Sequence, residues 1–342
     1  MTIEISTRET YGKTLIELGR ENQNIVVLDA DLSRSTMTNL FAKEFPDRFF
    51  QCGLAEQNMI GIAAGLAASG KTVFASTFAI FASCRCFDQL RMCLSQPQLN
   101  VKIVATHGGI SIGEDGFSHQ AIEDLALFCS LPGFSVVVPA DAIETAEVIK
   151  SAAATYGPIY VRLGRLKTPL VYSQSYQFNL GKAITMRRGK DITIIAIGIM
   201  VAKALEAAKT LAAEGIDCRI INMPTLKPLD EEAIIKAASE TGAIVVAEEH
   251  LAHGGLGSRV AQVVVREKSV PMSFVNLKNT YAKSGKAEEL LQRYGLTAKD
   301  IEAAVRTVSS KKKTFHMPPS GKLSQAIADI RELEDKDDIG LH

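Results

Sequence analysis

The stretch NIVVLDADLSRS, residues Asn24–Ser35, begins as a run of apolar side chains and ends in polar and small ones. More short apolar runs follow along the chain, and longer amphipathic segments separate them. Short apolar runs that alternate with helical segments favour a parallel sheet with crossover helices. We therefore predict an α/β fold with a parallel sheet, in which Asn24–Ala30 is one of the strands.

The same alternation predicts elements along most of the chain. In the first half the predicted strands are Asn24–Ala30, Lys71–Ala75, Val101–Thr106, Ser135–Val138 and Ile159–Arg162. The predicted helices there are Thr7–Arg20, Glu56–Ser69, Phe81–Leu94, His119–Cys129 and Ala142–Ala154. In the second half the predicted strands are Ile192–Ile197, Cys218–Asn222, Ala243–Ala247 and Ser273–Asn276. The helices predicted there are Val201–Glu214, Asp230–Ser239, Leu256–Arg266 and Thr297–Val308.

Breaks in this alternation predict two domains and a tail. The first domain covers residues 1–175 and the second, smaller one covers residues 190–310, with the polar, irregular stretch Tyr172–Lys190 between them. The tail, residues 311–342, contains KKK and MPPSG, which a packed element would not carry. Within the tail, Lys322–Leu333 could form one more amphipathic helix.

Charge and composition argue against several classes of function. Lys plus Arg and Asp plus Glu both total 38, so the net charge of zero gives no electrostatic case for nucleic acid or a membrane surface. The sequence has no apolar run of about 18 residues and no secretory signal at its N-terminus. The six cysteines lie in apolar stretches and form no C-x-x-C pair, which is typical of free thiols in a reducing compartment. We therefore predict a cytoplasmic protein.

Residues Gly65–Thr72, GLAASGKT, match the phosphate-binding pattern G-x-x-x-x-G-K-[ST]. A phosphate-binding loop of this kind leaves a strand and opens a helix, whose N–H groups then face the phosphates. Here the order is reversed, because a helix precedes Gly70 and a strand follows it. We therefore interpret the match as the end of a helix and not as a nucleotide site.

Four polar or glycine-rich stretches lie where α/β folds bind ligands, beyond the ends of strands. They are Asp29–Ser35, Gly53–Asn58, Ser76–Phe81 and Thr106–Gln120. Taken together, these stretches resemble the pyrimidine-binding half of transketolase. In the second half, DITIIAIGIMVAKALEAAKTL (residues 191–211) and GAIVVAEEH (residues 242–250) are similar to the C-terminal domain of the same family. The resemblance covers about residues 5 to 310.

This resemblance implies an enzyme component that uses thiamine diphosphate, a cofactor that supplies carbanion chemistry while the protein holds and activates it. The family has an N-terminal domain with a G-D-G…N motif that grips Mg²⁺ and the diphosphate, and no such motif occurs in this sequence. The resemblance therefore implies a split transketolase, in which an N-terminal subunit from another chain holds the diphosphate and Mg²⁺. Split relatives assemble as α2β2, which implies a homodimer contact as well.

Four residues match family positions around the cofactor. Glu56 matches the activating glutamate, which shares a proton with N1′ of the aminopyrimidine and therefore needs an apolar site. Phe78 and Phe81 match aromatic residues that pack on the pyrimidine, because flat apolar faces suit a flat heterocycle. Asp31 matches an aspartate near the cofactor. The resemblance thus implies a catalytic and cofactor-binding role for Glu56 and cofactor contacts for the other three.

Taken singly, these residues have simpler interpretations. Glu56 could complement the dipole at a helix N-terminus, Asp31 could form a turn at a strand end, and a lone phenylalanine usually belongs to a core. The sequence also departs from animal-type transketolase, since it has one more residue between Phe78 and Arg85. Cys84 stands where some relatives carry a tyrosine.

Three further residues, His107, Asp115 and His119, match positions that line the substrate channel. Two imidazoles and a carboxylate suit hydrogen bonds to sugar hydroxyls and proton transfer to an alkoxide, so the two histidines are candidate catalytic residues. A metal site is the alternative, but these histidines lack tight ligand spacing and no cysteine cluster joins them. We interpret His250 and His253, in EEHLAH, as loop residues. No metal site is therefore predicted in this chain.

Arg8, Ser35 and Arg165 match positions that bind a phosphate on the sugar substrate. Guanidinium groups fit phosphate through two parallel hydrogen bonds, which makes arginine suitable for this contact. Arg162, on the predicted strand, is the nearby alternative to Arg165.

The resemblance implies transfer of a two-carbon ketol unit from a ketose phosphate to an aldose acceptor, as in pentose phosphate metabolism. Two alternatives remain open. One is another thiamine diphosphate enzyme component, such as a 1-deoxyxylulose-5-phosphate synthase or the β subunit of a 2-oxoacid dehydrogenase, although GEDGFSHQAIEDLAL (residues 113–127) fits the transketolase pattern better. The other is a non-catalytic subunit that keeps the fold, against which Glu56, His107 and His119 argue.

Overall fold

The computed structural model of the protein describes residues 3–172 and 176–314. Two mainly parallel sheets lie within these residues, one built largely from each half of the chain, and helices pack on both faces of each sheet. The predicted α/β fold is therefore confirmed. The helix predicted at Lys322–Leu333 lies outside the described residues.

The first half of the chain supplies most of a seven-stranded sheet. The strands in this half of the chain are β1 (Glu4–Ser6), β2 (Ile25–Asp29), β3 (Phe49–Gln51), β4 (Thr72–Ser76), β5 (Val101–Ala105), β6 (Ser135–Val137), β7 (Ile159–Arg162) and β8 (Lys167–Pro169). Its helices are α1 (Thr7–Glu21), α2 (Ser33–Thr36), α3 (Asn39–Glu44), α4 (Glu56–Ala68), α5 (Phe87–Gln89), α6 (Asp124–Ser130) and α7 (Ala142–Ala154). Six of the strands lie side by side in the order β6-β7-β5-β4-β2-β3 with all neighbours parallel, while β1 and β8 pair separately as an antiparallel ribbon.

The second half forms a five-stranded sheet. The strands in this half of the chain are β9 (Ile184–Arg187), β10 (Ile192–Ala196), β11 (Cys218–Asn222), β12 (Thr225–Lys227), β13 (Ile244–Ala247) and β14 (Met272–Val275). Its helices are α8 (Met200–Ala213), α9 (Glu231–Thr241), α10 (Leu256–Glu267), α11 (Ala287–Arg293) and α12 (Ala298–Thr314). The order is β14-β13-β10-β11-β9, in which only β9 is antiparallel to its neighbour. Strand β12 instead pairs with β6 and completes the first sheet as its seventh strand.

Strand β2 shows why the first apolar run is continuous. All five of its residues are buried. Val26 and Leu28 belong to the hydrophobic cluster that includes α4 and α6, whereas Ile25 and Val27 belong to the cluster that includes α1 and α7. Because alternate residues of a strand face opposite sides, a strand covered by helices on both sides is apolar throughout.

Strand order brings the polar stretches of the sequence together. Strands β5, β4 and β2 are adjacent and parallel, so their carboxyl ends lie at one edge of the sheet. Three of the four polar stretches begin at these ends, namely Asp29–Ser35, Ser76–Phe81 and Thr106–Gln120. Gly53–Asn58 follows β3, which is the other neighbour of β2. Ligand sites of open α/β sheets form at this edge.

The predicted helix Phe81–Leu94 is wrong in detail. The structure has two π-helical turns, Phe81–Arg85 and Leu90–Ser95, with the short helix α5 between them. A π-helical turn holds one more residue than an α-helical turn.

The predicted helix His119–Cys129 begins too early, since α6 starts only at Asp124. Tertiary hydrogen bonds hold the residues just before Asp124 in a non-helical conformation. The N–H of Gly109 donates to the carbonyl oxygen of Ala121 at 2.8 Å, and the side chain of Gln120 donates to the carbonyl oxygen of Lys283 at 3.1 Å.

Other differences concern short elements and chain ends. Helix α12 runs past its predicted end at Val308 through the lysine run to Thr314, consistent with the high helix propensity of lysine. Strand β9 lies inside the stretch Tyr172–Lys190 and already belongs to the second sheet. The helix end and the following strand predicted at Gly65–Thr72 are confirmed, because α4 ends at Ala68 and β4 follows Gly70, whose φ is 91°. Among the helices of the described residues, none has the length and apolar character needed to span a bilayer.

Candidate active site

Glu56 is the first residue of α4 and is almost completely enclosed, with 2% of its side chain exposed. A carboxylate in the first helical turn is favoured by the N-terminal end of the helix dipole. Both of its oxygens accept a hydrogen bond from Nη1 of Arg85, each at 3.0 Å. The same helix buries Met59 and Ile60 completely. The carboxyl is thus enclosed as its predicted role requires, and the role itself stays a prediction.

Four aromatic rings, Phe78, Phe81, His107 and His119, form what we call the ring cluster. The rings of Phe78 and Phe81 are nearly parallel with centroids 5.9 Å apart, and Phe78 also stacks on His107 at 3.9 Å. The ring of His119 meets that of Phe81 edge-on at 5.3 Å. The segment after β4 supplies the phenylalanines and the segment after β5 supplies the histidines. The structure therefore brings together four residues that the sequence singled out separately.

His107 is buried and has a left-handed backbone, with φ of 64°. Its Nδ1 lies 2.7 Å from the hydroxyl oxygen of Thr106. Burial lowers the pKa of His107 to about 3, and the charges of Arg8, Arg165 and His119 contribute to this shift. At neutral pH the imidazole is therefore uncharged, so one of its nitrogens donates a hydrogen bond and the other accepts one. A left-handed residue other than glycine costs roughly 1–2 kcal/mol, which the surrounding structure must offset.

Arg8 and Arg165 form the arginine pair of the site. Arg8 Nη1 donates to the carbonyl oxygen of Ser35 at 2.8 Å, and Arg165 Nη1 donates to that of Ile112 at 2.5 Å. Arg165 also lies 3.8 Å from the exposed carboxylate of Asp115. Burial lowers the pKa of Arg8, and the positive charge of Arg165 adds to this effect. Two neighbouring, half-buried guanidinium groups are well suited to bind an anion.

Asp31 lies outside the ring cluster. It is exposed, has a φ of 62°, and its N–H donates to the side chain of Gln51 at 2.7 Å. The neighbouring Asp29 is fully buried, and burial raises its pKa to about 6. Its carboxylate accepts hydrogen bonds at 2.6 to 2.9 Å from the N–H of Leu32 and the hydroxyls of Thr36 and Thr38. Asp29 therefore fixes the loop that carries Asp31 and Ser35, while the cofactor contact of Asp31 stays a prediction.

Arg162, the alternative to Arg165, is engaged elsewhere. It is buried and its Nε lies 3.0 Å from the carboxylate of Asp124. Its Nη2 donates to the carbonyl oxygens of Ala121 and Glu249 at 2.9 and 3.1 Å. Since Glu249 follows β13, this guanidinium joins the two halves of the chain and is not free to bind a substrate.

Glu249 also holds the segment that follows His107. Its carboxylate accepts hydrogen bonds from the N–H of Ser111 at 2.6 Å and from the hydroxyl of the same residue at 3.2 Å. A Cβ on Gly109, where φ is +82°, would lie 2.1 Å from the carboxyl carbon of Glu249, so only glycine fits there. Burial raises the pKa of Glu249, and the charge of Arg162 opposes this effect. The second half of the chain thus shapes the candidate active site.

His250 and His253 lie in the loop after β13, as predicted. His250 is fully buried with Nδ1 3.0 Å from the carbonyl oxygen of Leu251, whereas His253 is exposed. Within residues 3–172 and 176–314, no group of three His, Cys, Asp or Glu side chains is placed to hold a metal ion.

Arg85 is the residue that sequence reasoning missed. It donates to Glu56, and its guanidinium carbon lies 4.5 Å from the ring centroid of Phe81. It reaches Glu56 across a sequence separation of 29 residues and from within a π-helical turn. No local pattern in the sequence marks such a contact.

These surroundings fit the pyrimidine half of thiamine diphosphate. A flat heterocycle needs a flat apolar face and a polar group at its edge. Phe81 offers a half-exposed ring and Glu56 an enclosed carboxylate, and both contact the same side chain, Arg85. The residues present would therefore hold a pyrimidine, and this chain's described residues offer no comparable cluster for Mg²⁺.

Comparison with known proteins supports the resemblance found in the sequence. Residues 3–170 match the family described as transketolase, pyrimidine binding domain, and residues 181–301 match the transketolase C-terminal domain. A transketolase C-terminal section of Methanocaldococcus jannaschii is 47% identical over 309 residues, which cover 90% of this chain and 96% of that protein. The 6-deoxy-6-sulfo-D-fructose transketolase subunit SqwH of Clostridium sp. is 40% identical over 305 residues, covering 89% of this chain and 95% of the relative.

A single-chain relative and a solved structure point to the same family. Human transketolase is 39% identical over 312 residues, and these cover 90% of this chain but 50% of the human protein. A solved structure described as a split gene transketolase in an inactive beta4 tetramer has a TM-score of 0.85 and 53% identity, covering 90% of this chain and 99% of that one. Pyrimidine-binding and C-terminal domains thus occur here in the order predicted from the sequence, and the chain belongs to the transketolase family.

Proposed function

We propose that this chain is the C-terminal subunit of a two-chain transketolase. Together with an N-terminal subunit it transfers a two-carbon ketol unit from a ketose phosphate to an aldose acceptor. The observation that carries this proposal is the meeting of enclosed Glu56, the ring cluster and the arginine pair at one edge of the first sheet. Thiamine diphosphate supplies the carbanion chemistry when it is bound.

The residues of this chain are proposed to bind the cofactor ring and the substrate and to move protons. Glu56 holds and shares a proton at the edge of the pyrimidine ring, for which an enclosed carboxyl is suited. Phe81 binds the ring through its partly exposed face, and Phe78, which is buried and stacked on Phe81 and His107, supports that face from behind. His107, uncharged at neutral pH, and His119 hydrogen-bond the sugar hydroxyls and move protons to and from the substrate oxygens. Each of these roles follows from residue chemistry and from the family match.

The arginine pair binds the anionic end of the sugar, with Ser35 and Asp115 beside it. Two relatives are named for different donors. SqwH is named for 6-deoxy-6-sulfo-D-fructose, and a transketolase subunit of Phocaeicola vulgatus, 40% identical over 298 residues, is named for apulose-4-phosphate. Both phosphate and sulfonate are anions that guanidinium groups bind. We propose a phosphate here, because it carries more negative charge than a sulfonate and the positive charges of Arg8 and Arg165 lie near each other.

The N-terminal subunit is proposed to hold the diphosphate and Mg²⁺ of the cofactor. The ring held at Glu56 and the diphosphate held by the partner belong to one molecule, so the surface around the start of α4 must face that partner. The outer side of α4 is open and carries exposed apolar side chains: Leu54 before the helix is 77% exposed, Ile62 within it is 36% exposed, and a Cβ on Gly61 or Gly65 would meet nothing within 4 Å. An exposed apolar surface of this kind is typical of a subunit contact. We propose an α2β2 assembly with a further contact between two copies of this chain.

The protein is proposed to act in the cytoplasm. All six cysteines are free thiols, and Cys84 among them is exposed, as expected in a reducing compartment. The two alternative functions make different predictions: a 2-oxoacid dehydrogenase subunit would act on oxoacids, and a non-catalytic subunit would leave its partner's activity unchanged.

The test is reconstitution with a purified N-terminal subunit, thiamine diphosphate and Mg²⁺. We expect transfer from xylulose 5-phosphate to ribose 5-phosphate by the mixture and none by either chain alone. Turnover of sugars by this chain alone would refute the two-chain proposal. Activity only with an oxoacid would identify the dehydrogenase alternative, and no effect on the partner would favour the non-catalytic one.

A further inference from the structure

Arg85 covers both groups that are proposed to bind the pyrimidine ring. Its Nη1 donates to both oxygens of Glu56 at 3.0 Å, and its guanidinium carbon lies 4.5 Å from the centroid of the Phe81 ring. The side chain of Glu56 is 2% exposed, whereas that of Arg85 is 52% exposed. A flat cation therefore separates an enclosed carboxylate from the solvent.

We infer that Arg85 is a positioning residue that stands in for the pyrimidine ring while the cofactor is absent, an inference that rests on the proposed function. A guanidinium is planar, stacks on an aromatic face and donates hydrogen bonds within its plane. A pyrimidine that shares a proton with Glu56 makes the same two kinds of contact. Arg85 thus keeps the carboxylate charged, oriented and paired in the cofactor-free chain, and moves away when the ring takes its place.

The backbone around Arg85 supports such an exchange. The side chain of Gln57 donates to the carbonyl oxygen of Arg85 at 2.9 Å, which fixes the backbone of this residue against the start of α4. The π-helical turn Phe81–Arg85 directs the side chain toward Glu56. Because the backbone is held and the side chain is half exposed, only side-chain rotation is needed to uncover Glu56.

Energetics explain why such a residue is needed. A buried carboxylate without a partner is costly, and proteins reduce the cost by pairing it or by protonating it. Arg85 is the cation that pairs with Glu56, so its removal would leave an enclosed carboxylate without a partner. Cys86, next to Arg85, is buried with a pKa raised to about 12 by burial, so it stays an uncharged thiol and adds no second negative charge beside Glu56.

The first measurement uses this chain alone and needs neither partner nor cofactor. The infrared carbonyl band of protonated carboxyl groups is compared at neutral pH for the native chain, Arg85→Gln and the double variant Arg85→Gln with Glu56→Gln. We expect Arg85→Gln to gain one carboxyl band that disappears in the double variant. Arg85→Lys, which keeps a cation, should lack the band. So should Arg91→Gln, an exposed arginine of the same segment that does not contact Glu56.

The second measurement tests the exchange itself in the assembled enzyme. Calorimetry in buffers of different ionisation enthalpy gives the number of protons taken up when thiamine diphosphate binds. We expect the native enzyme to take up about one proton more than Arg85→Gln, because in the variant Glu56 already carries it. Equal proton uptake, or no new infrared band in Arg85→Gln, would overturn the inference. Failure of the proposed function would appear separately, as absent sugar transfer by the native enzyme.

Discussion

Replacement of Glu249 by glutamine should loosen the segment that carries His107. The carboxylate of Glu249 comes from the second half of the chain and accepts the N–H of Ser111 at 2.6 Å and its hydroxyl at 3.2 Å. Glutamine has nearly the same shape but offers one acceptor oxygen in place of two, and its amide N–H groups cannot accept a hydrogen bond. One of the two donors of Ser111 therefore loses its partner.

The size of the effect follows from these contacts. A buried donor without an acceptor costs about 1–3 kcal/mol, and Arg162 also loses a nearby negative charge. The left-handed backbone of His107 stores roughly 1–2 kcal/mol that the same segment must offset. We expect the Ser111 amide to exchange its hydrogen about 5–150 times faster in Glu249→Gln. Strand β2, which β4 separates from β5 in the first sheet, should exchange at its native rate.

Native-state hydrogen exchange with mass spectrometry of peptides around Ser111 provides the assay. In the reconstituted enzyme the same variant should lower turnover, because His107 is no longer held at one position. Glu232→Gln, whose side chain is 87% exposed, is the matched control and should change neither measurement. Unchanged protection of the Ser111 segment in Glu249→Gln would refute the reasoning that the second domain holds the active-site loop.

Three further predictions concern single residues. Glu56→Gln should lower turnover of the assembled enzyme at least about a hundredfold, because general acid–base groups contribute on that scale; near-native rates would exclude the role. Arg165→Ala should raise the KM for a phosphorylated ketose about tenfold or more while leaving an unphosphorylated sugar unaffected. Asp29→Asn should change how stability depends on pH, because burial raises the pKa of Asp29 from 3.8 to about 6. Urea denaturation of the native chain and the variant measures this change.

The sign of the Asp29 effect follows from linkage. The folded state binds the proton of Asp29 more tightly than the unfolded state, so this contribution to stability is fully present below about pH 4 and is lost as pH rises through about 6. Asparagine cannot titrate. The difference in unfolding free energy, native minus variant, should therefore fall by about 2 kcal/mol between pH 4 and pH 7. A pH-independent difference would contradict the buried position of this carboxyl.

The long buried elements were predictable because their pattern is local. Residues 25–29 are apolar without interruption up to the terminal aspartate because helices cover both faces of β2. Such an apolar run is visible in the sequence without the structure. The short strands β3, β8, β9 and β12 have three or four residues each, too few for a periodic pattern. Strand β12 pairs with β6 across the domain boundary, which no composition break could reveal.

The site was predictable where it depends on strand ends and not where it depends on distant contacts. Glu56, Phe78 and His107 each stand near the beginning or end of a regular element, so their neighbourhood follows from the order of the strands. Arg85 approaches Glu56 through a π-helical turn, and Glu249 approaches Ser111 over 138 residues. Both contacts are products of tertiary packing, which local propensity does not encode.

In the proposed assembly, helix α4 links cofactor activation to subunit contact, because it begins at Glu56 and presents glycines on its outer side. Gly61 lies in the middle of this helix, and a Cβ there would meet nothing within 4 Å. Gly61→Leu should therefore leave the isolated chain folded, and more stable by up to about 1 kcal/mol because leucine favours helix. On the proposed assembly the added side chain faces the N-terminal subunit.

We therefore expect Gly61→Leu to abolish co-purification with that subunit and, with it, sugar transfer, whereas the thermal unfolding of the isolated chain is retained. Lys236→Leu, which adds an apolar side chain at an exposed position of α9, should assemble normally. If Gly61→Leu assembles and turns over like the native protein, the outer side of α4 is not the subunit contact. The carboxyl at its first residue would then have to meet the diphosphate-binding partner from another direction.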